Sequence, residues 1–289
     1  MKKYSIILAF LMCFGVLLAQ EEKVEVKPVR SPFESGILIN AQTGVIPDAR
    51  TLEMIIEHNF GTVQNGITDL YGLYAPSNIR LGLNYSINNN IMIGVGAIKY
   101  NKMTDFRLKW SILKQAREGG SPLAITYYSN FGIDGRNKEV FVSAGQPSRG
   151  TDRFSFFNQI IIGRKFCDAF SFQVAPSISH INKVESTQEH DKIAISFSGR
   201  VKFSPQGSFI FNYDAPLHIK GIQEHTVLDL KAKPNLAFGV EFATGTHAFQ
   251  IFMGTANTLS PQYNMMTNIN DWQDGALFIG FNITRLWGF

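Results

Sequence analysis

The sequence predicts an all-β fold, an antiparallel up-and-down transmembrane β-barrel of about twelve strands. Three observations carry this reading. Segment after segment alternates apolar with small or charged residues at a period of two. The connections between segments alternate between short and long. The last segment, 277–289, alternates to the end of the chain and closes on Phe289.

Composition agrees. Charged residues make up 17% of the 289 and aromatics 12%, with 24 Phe. That is too apolar for disorder, and too evenly interrupted for a helical membrane protein. The net charge is +4, and two of those charges, Lys2 and Lys3, open the chain. No clustered basic stripe follows, so nucleic acid is not an expected partner.

Residues 1–19 read as a cleaved signal peptide. Lys2 and Lys3 are its basic start, 6–18 its apolar stretch, and Ala19 the small residue before the cut. Leu11 and Met12 precede Cys13, which disfavours lipidation. Residues 20–50 form a lead-in, either a periplasmic linker or a lumen plug. Pro28, Pro32 and Pro47 break any long helix there, and Gly36 to Ile39 suit a short strand of unclear place.

Residues 51–289 are the expected barrel. Successive strand side chains point to opposite sides, so each alternating run has one apolar and one mixed face. Leu52, Met54, Ile56, His58 and Phe60 alternate with Glu53, Ile55, Glu57 and Asn59. Ile79, Leu81, Leu83 and Tyr85 alternate with Arg80, Gly82 and Asn84; Phe106, Leu108 and Trp110 with Arg107 and Lys109. Phe170, Phe172 and Val174 alternate with Ser171 and Gln173; Phe197, Val201 and Phe203 with Ser198, Arg200 and Lys202; Phe238, Val240 and Phe242 with Gly239 and Glu241. Weaker strands fall near 91–99, 123–131, 153–164, 208–215 and 247–255. The 153–164 stretch is ambiguous, because Phe156-Phe157 and Ile160-Ile161-Ile162 fit both faces.

Short turns at 88–90, 204–207 and 244–246 contrast with long connections at 61–78, 132–152, 216–234 and 256–275. Short periplasmic turns and long external loops are the outer-membrane habit, and an even strand number puts both ends on the periplasmic side. The short 99–106 connection fits less well. In the last strand Trp287 and Phe289 resemble the aromatic signal read by the barrel-assembly machinery, with Arg285 the one break on the apolar face. The expected partners are therefore outer-membrane lipids, that machinery and a small polar solute; the expected location is the Gram-negative outer membrane.

Several strings carry a family resemblance over roughly Thr43 to Phe289. They are Thr51-Leu52-Glu53 with His58-Asn59-Phe60-Gly61, Asp69-Leu70-Tyr71-Gly72-Leu73, Ser77-Asn78-Ile79-Arg80-Leu81-Gly82 and Gly280-Phe281-Asn282-Ile283. With them the chain resembles a family of Gram-negative outer-membrane β-barrel proteins of unknown function. The resemblance implies the fold and the outer-membrane location, and supplies no activity or catalytic residues.

The remaining chemistry is sparse. His58 and Asn59 are adjacent on one strand, so they face opposite sides and cannot orient one another, and no GxSxG string occurs. No catalytic residues are assigned, and the chain is not expected to be an enzyme. Cys167 is the one cysteine after the signal and reads as an idle thiol. His180, His190, His218 and His225 lie in or beside two successive external loops without metal-site spacing, so no metal and no cofactor is expected. The candidate lumen-lining residues are Glu53, Glu57, Arg80, Arg107, Lys109, Arg200, Lys202 and Glu241. Arg80, Arg107, Arg200 and Lys202 are expected to pair across the lumen with Glu53, Glu57 and Glu241. Gly82, Ala175, Ser196, Gly239 and Gly280 are expected to leave open space. The functional expectation is a narrow pore for small polar solutes. The alternatives are a closed barrel acting through its external loops and, behind that, a membrane-embedded hydrolase.

Overall fold

The computed structural model describes residues 27–29, 31–142, 147–185, 187–219 and 231–289. The signal segment and His225 lie outside these residues. A short hairpin, β1 (Ile37–Leu38) and β2 (Ala41–Gln42), comes first. Twelve strands follow: β3 (Thr51–Thr62), β4 (Asn78–Asn88), β5 (Ile91–Ile98), β6 (Met103–Leu113), β7 (Ala124–Ile133), β8 (Phe154–Lys165), β9 (Phe170–Ile181), β10 (Asp191–Lys202), β11 (Gly207–Pro216), β12 (Asn235–Ala243), β13 (His247–Gly254) and β14 (Phe278–Gly288). Each pairs antiparallel with its neighbour in sequence, and β14 pairs with β3, which closes the barrel. Closure leaves no unpaired edge, the condition for strands to cross hydrocarbon.

The alternation decides the two faces. Leu81, Leu83, Tyr85 and Ile87 of β4 are exposed on the outer surface, as are Phe106, Leu108, Trp110 and Ile112 of β6. Their chain neighbours Arg80, Asn84, Ser86, Asp105, Arg107 and Lys109 are buried inside. Trp287 and Tyr85 both sit beside Leu52 in the register, and Trp110 sits beside Tyr127, near the end at which β3 begins and β14 stops. This is the position of an aromatic girdle at a membrane boundary.

A twelve-strand cylinder is too wide for wall side chains alone to fill. Two inserted segments occupy this one. From the terminal end, the β1–β2 hairpin rises inside the wall. Phe33, Leu38 and Ile39 pack on Ile210, Ala237 and Phe252, with Val45 beside them. From the other end, the β13–β14 connection folds inward and carries one helix, α1 (Pro261–Thr267). Met265 of α1 packs on Tyr128, Phe157, Ile161, Ala175 and Ala194, while Leu259 and Tyr263 meet Ile98, Met103 and Tyr100.

This explains the ambiguous 153–164 pattern. In β8 the inward positions are Ser155, Phe157, Gln159, Ile161 and Gly163. Phe157 and Ile161 are apolar because they meet Met265, not solvent. The expected open space is likewise taken. An added Cβ at Gly82 or Gly96 would fall 2.2 Å from the Arg80 guanidinium, and one at Gly280 would fall 2.6 Å from the Phe252 ring. At Gly239 it would meet Phe252 as well, and Ala175 lies under Met265. The glycines let large neighbours lie flat on the wall; they do not widen a channel.

Candidate functional site

The site is the barrel interior, and its two sides differ in chemistry. On the β3–β6 side, Glu57 and Arg80 stand opposite one another in register on adjacent strands and pair at 2.9 Å. Arg107 reaches Glu57 at 3.3 Å. Asp105 is shared by Arg80 at 3.0 Å and Arg107 at 2.8 Å, and also accepts from the Asn130 amide. All four ionic side chains are almost fully buried. Buried charges are tolerated where they are paired and hydrogen-bonded, as here. Beside this network Glu53 accepts from the Asn84 amide, and Lys109 donates to the Gly36 carbonyl of the lead-in at 2.5 Å.

The expected pairing across the lumen is therefore corrected. The β3–β6 pairs run along the wall: Glu57 and Arg80 are on neighbouring strands, and Arg80–Asp105 and Glu57–Arg107 reach over β5, whose inward Gly94 and Gly96 put no side chain in the way. Arg200 and Lys202 do not meet Glu241. Both reach Glu34 of the lead-in, at 2.8 and 3.7 Å. Glu241 accepts instead from Gln250 at 2.7 Å. Five of the eight predicted residues gather on the β3–β6 side and Arg200 and Lys202 gather on Glu34, while Glu241 stands apart on Gln250; the acids that complete the first two sets, Asp105 and Glu34, are not among the eight. Asp105 was readable from the sequence, since it lies two residues before Arg107 and therefore on the same face. Glu34 carried no such signal, because its partners are 166 and more positions away in a different element.

On the adjoining side, β11 to β14, the wall holds the hairpin by uncharged groups. The Gln250 amide is the hub. Its oxygen accepts from the Ile39 N–H and from Asn282, both at 2.9 Å, and its nitrogen donates to the Ile37 carbonyl at 2.9 Å. Asn282 also donates to the Ile39 carbonyl at 2.7 Å. Ile39 has φ = 56°, the left-handed region that disfavours a β-branched residue. Such a residue costs about 1–3 kcal/mol and persists only where its surroundings fix it. Here both of its backbone polar groups are fixed by wall side chains. Further out, Gln173 donates to the Gln42 carbonyl and Thr126 to that of Gly44.

The two inserts meet. The Ala256 carbonyl, at the start of the inward loop, accepts from Asn40 at the hairpin turn at 3.2 Å and from Asn59 of β3 at 3.3 Å. Gln262 of α1 donates to Asn130, which contacts Asp105, so the inward loop also touches the charged wall.

Above α1, at the loop end, lies a cavity of about 940 Å³. Tyr100 and Tyr263 pack edge to face with centroids 5.3 Å apart. Burial pushes the Tyr263 hydroxyl up to about 12, so it is neutral over the physiological range. Arg136 is held by Asp134, at 2.6 Å, and lies over the Phe141 ring.

The remaining candidates are dispersed. His58 faces outward and stacks on Phe281, centroids 5.0 Å apart, while Asn59 faces inward. Cys167 is exposed in the β8–β9 turn. His180 pairs with Asp191, and His190 bonds the Ile181 carbonyl. Among the described residues no group of three His, Cys, Asp or Glu is placed to hold a metal. The Trp287 ring lies under Arg285 at 5.0 Å, and Phe289 is 81% exposed with its N–H on the Arg50 carbonyl.

The family model described as a membrane bound beta barrel domain, DUF5777, matches residues 33–287. No significant match to a curated protein was found. Solved structures of similar shape include the NanC porin, with 7% identity and a TM-score of 0.48 over 82% of this chain and 99% of that one. An outer membrane channel from Pseudomonas putida F1 gives 10% identity and 0.46 over 84% and 97%. OmpT of Vibrio cholerae gives 12% and 0.40 over 84% and 100%.

Proposed function

The chain belongs to the DUF5777 family of membrane-bound β-barrel domains, and on that premise we propose that it is a narrow, gated outer-membrane pore for small polar solutes. The observation that carries this is the nature of the plug contacts. Apart from one apolar patch, Phe33, Leu38 and Ile39 on Ile210, Ala237 and Phe252, the hairpin is held by hydrogen bonds and ion pairs from wall side chains to its backbone and to Glu34. Water can replace such bonds one for one, so each contributes only about 0.5–1.5 kcal/mol net, and the seat is separable without dismantling the barrel. Behind the hairpin stands a wall of Arg80, Arg107, Lys109, Glu53 and Glu57, whose charges suit a wetted path. We read the chain as exported through cleavage after residue 19, with 20–50 as the plug and 51–289 as the barrel, and as a conduit without catalytic activity.

Planar-bilayer recording on the mature chain, and on a chain lacking residues 20–45, tests this. The mature chain is expected to open rarely and to small, weakly charge-selective levels; the deletion is expected to conduct persistently. Replacing Arg107 and Arg200 with Ser in the deletion background shifts selectivity toward cations, because the carboxylates then dominate the local field. Silence from both chains would replace this reading with the closed barrel, which one observation favours: in the structure the lumen is filled from both ends.

Trp287 and Phe289 serve, in this reading, as the signal to the assembly machinery. The Phe289 ring is 81% exposed, so removing it costs the finished barrel little packing. Deleting Phe289 is expected to lower assembled protein several-fold and leave export intact, with the truncated chain accumulating in the periplasm; unchanged membrane levels would count against the signal.

A further inference from the structure

The cavity at the loop end has an amphipathic lining. Its aromatic surface comes from Tyr100, Tyr263 and Phe141, its aliphatic surface from valines and isoleucines such as Val140, Ile181 and Ile269, and its amides include Asn101, Asn257 and Asn270. The side chain of Asn257 has no hydrogen-bond partner among the described residues; only its carbonyl is used, by Asn78 at 3.1 Å. The charges at this end are largely spent. Arg136 forks onto Asp134 through Nε and Nη2, and the Arg153 guanidinium donates to two backbone carbonyls, of Asp134 and Arg136. Lys183 and Glu185 line the cavity with opposite signs.

These facts count against three ligand classes. A purely apolar solute would match the aliphatic part of the lining but strip water from the amides and from the Arg136, Lys183 and Glu185 side chains without replacing their hydrogen bonds. A multivalent anion would find the Arg136 guanidinium already neutralised by Asp134 and the Glu185 carboxylate in the same lining. A metal ion needs several carboxylate or imidazole ligands together, and among the described residues none are grouped so. What fits is a molecule with apolar C–H faces and hydroxyl edges. Aromatic rings take such faces, and amides, which both donate and accept, take such edges. The volume is within the range of small-molecule sites.

We propose that this outer vestibule is a binding site for a neutral carbohydrate of one to three sugar rings, seated on Tyr100 and Tyr263 and hydrogen-bonded by the Asn257 amide and by the Asn270 oxygen, the Asn270 nitrogen being given to the Thr255 carbonyl and Asn268. The proposal rests on the pore reading for its purpose, as the site where the solute is collected. Its floor is the inward loop itself: Thr258, Tyr263 and Thr267 line the cavity, and the same loop accepts from Asn40 of the plug at Ala256. A bound sugar therefore touches the segment that latches the hairpin.

The test is titration calorimetry or saturation-transfer NMR on the full mature chain, refolded in a detergent without a sugar headgroup, with maltotriose as probe and galacturonate and toluene as comparators. Maltotriose is expected to bind, with Tyr263→Ala and Asn257→Ala each weakening it at least tenfold. Asn257→Ala removes no contact seen within the described residues, so it should retain the heat-modifiable gel mobility of the folded barrel and keeps the test valid should Tyr263→Ala misfold. Galacturonate or toluene binding more tightly than maltotriose, no binding of maltotriose, or maltotriose binding unaltered in a folded Asn257→Ala would overturn the proposal. Conductance is scored separately. Sugar binding to a barrel that never conducts, even without residues 20–45, removes the pore and leaves the site; conduction without sugar binding does the reverse.

Discussion

The β3–β6 side of the interior and the β11–β14 side bury similar kinds of strand and solve burial in opposite ways. The first keeps full charges and cancels them within the wall, through Glu57, Arg80, Asp105 and Arg107. The second holds its buried acids on amides, Glu241 on Gln250 and Asp214 on Asn212 and Asn235, and otherwise presents Ile210, Ala237, Phe252 and amides to the interior. That four-residue network needs no plug to satisfy it, although Lys109 beside it donates to the Gly36 carbonyl of the hairpin segment. An apolar and amide wall does need one, because without the hairpin its hydrophobic surface and the Gln250 amide would face water. The hairpin is thus seated by one side and merely touches the other. If it leaves, the charged side is the one already suited to solvent.

Breaking the charged side is expected to give the largest effect on stability. Asp105→Asn leaves Arg80 and Arg107 sharing Glu57 alone, with guanidinium charge buried and uncompensated. Loss of one partner from a buried ionic group costs about 3–5 kcal/mol. A urea unfolding series in lipid vesicles, following tryptophan fluorescence, reads this. A loss under about 1 kcal/mol would mean that the network is hydrated and the wall is not self-contained.

The plug side is expected to respond in a different observable. Gln250→Ala removes the partner of the Ile39 N–H, the Ile37 carbonyl, Glu241 and Asn282 together. Each buried group left unsatisfied costs about 1–3 kcal/mol, although water entering beside the hairpin recovers part of it. The expected result is a barrel of nearly native unfolding midpoint whose lead-in becomes open to protease, with more frequent channel openings. Global destabilisation with a protected lead-in would reverse the assignment of the two sides.

How much of this contrast was legible follows from the range over which each feature is encoded. The strand faces were legible, since alternation is local: Arg80 and Leu81 announce opposite sides without knowledge of any partner. The charged wall was legible in its members for the same reason, Asp105 included, since it shares a face with Arg107 although it precedes the obvious Phe106 alternation. The hairpin was visible only as Gly36 to Ile39 with no place, because what positions it are Gln250 and Asn282, more than 200 residues on. Helix α1 was not legible at all. Seven residues with buried Gln262, Asn264, Met265 and Met266 show no amphipathic stripe, since the surroundings of α1 are barrel wall and not solvent.

A finer perturbation separates packing from charge within the first side. Gly96→Ala keeps every charge but places a Cβ 2.2 Å from Arg80 Nη2 and 2.5 Å from an Asp105 oxygen. The guanidinium is a flexible end, yet its bonds to Glu57 and Asp105 restrain it. Overpacking of this kind costs about 1–3 kcal/mol. The unfolding midpoint is expected to fall by less than in Asp105→Asn, and the two losses are expected not to add, because both act through Arg80. Full additivity would show that the glycine serves something other than the guanidinium.

The smallest effect is expected at the seam between the two inserts. The Ala256 carbonyl accepts from Asn40 of the hairpin and Asn59 of the wall, at 3.2 and 3.3 Å. Asn40→Ala removes one donor and leaves the carbonyl satisfied by the other, so no buried group is orphaned on the loop side. The net worth of such a bond is about 0.5–1.5 kcal/mol. Converted at about 1.4 kcal/mol per tenfold, that is a two- to tenfold rise in the ratio of open to closed times, with the single-channel level unchanged. Asn59→Ala removes the same kind of bond but from a wall strand, and by this reasoning leaves the hairpin seated and the open probability close to native. The pair is therefore diagnostic. Equal effects from both would mean that the loop alone gates and the hairpin follows it. An effect from Asn40 alone means that the hairpin and the loop latch each other, and that the turn held in the left-handed Ile39 conformation is where the latch is sprung.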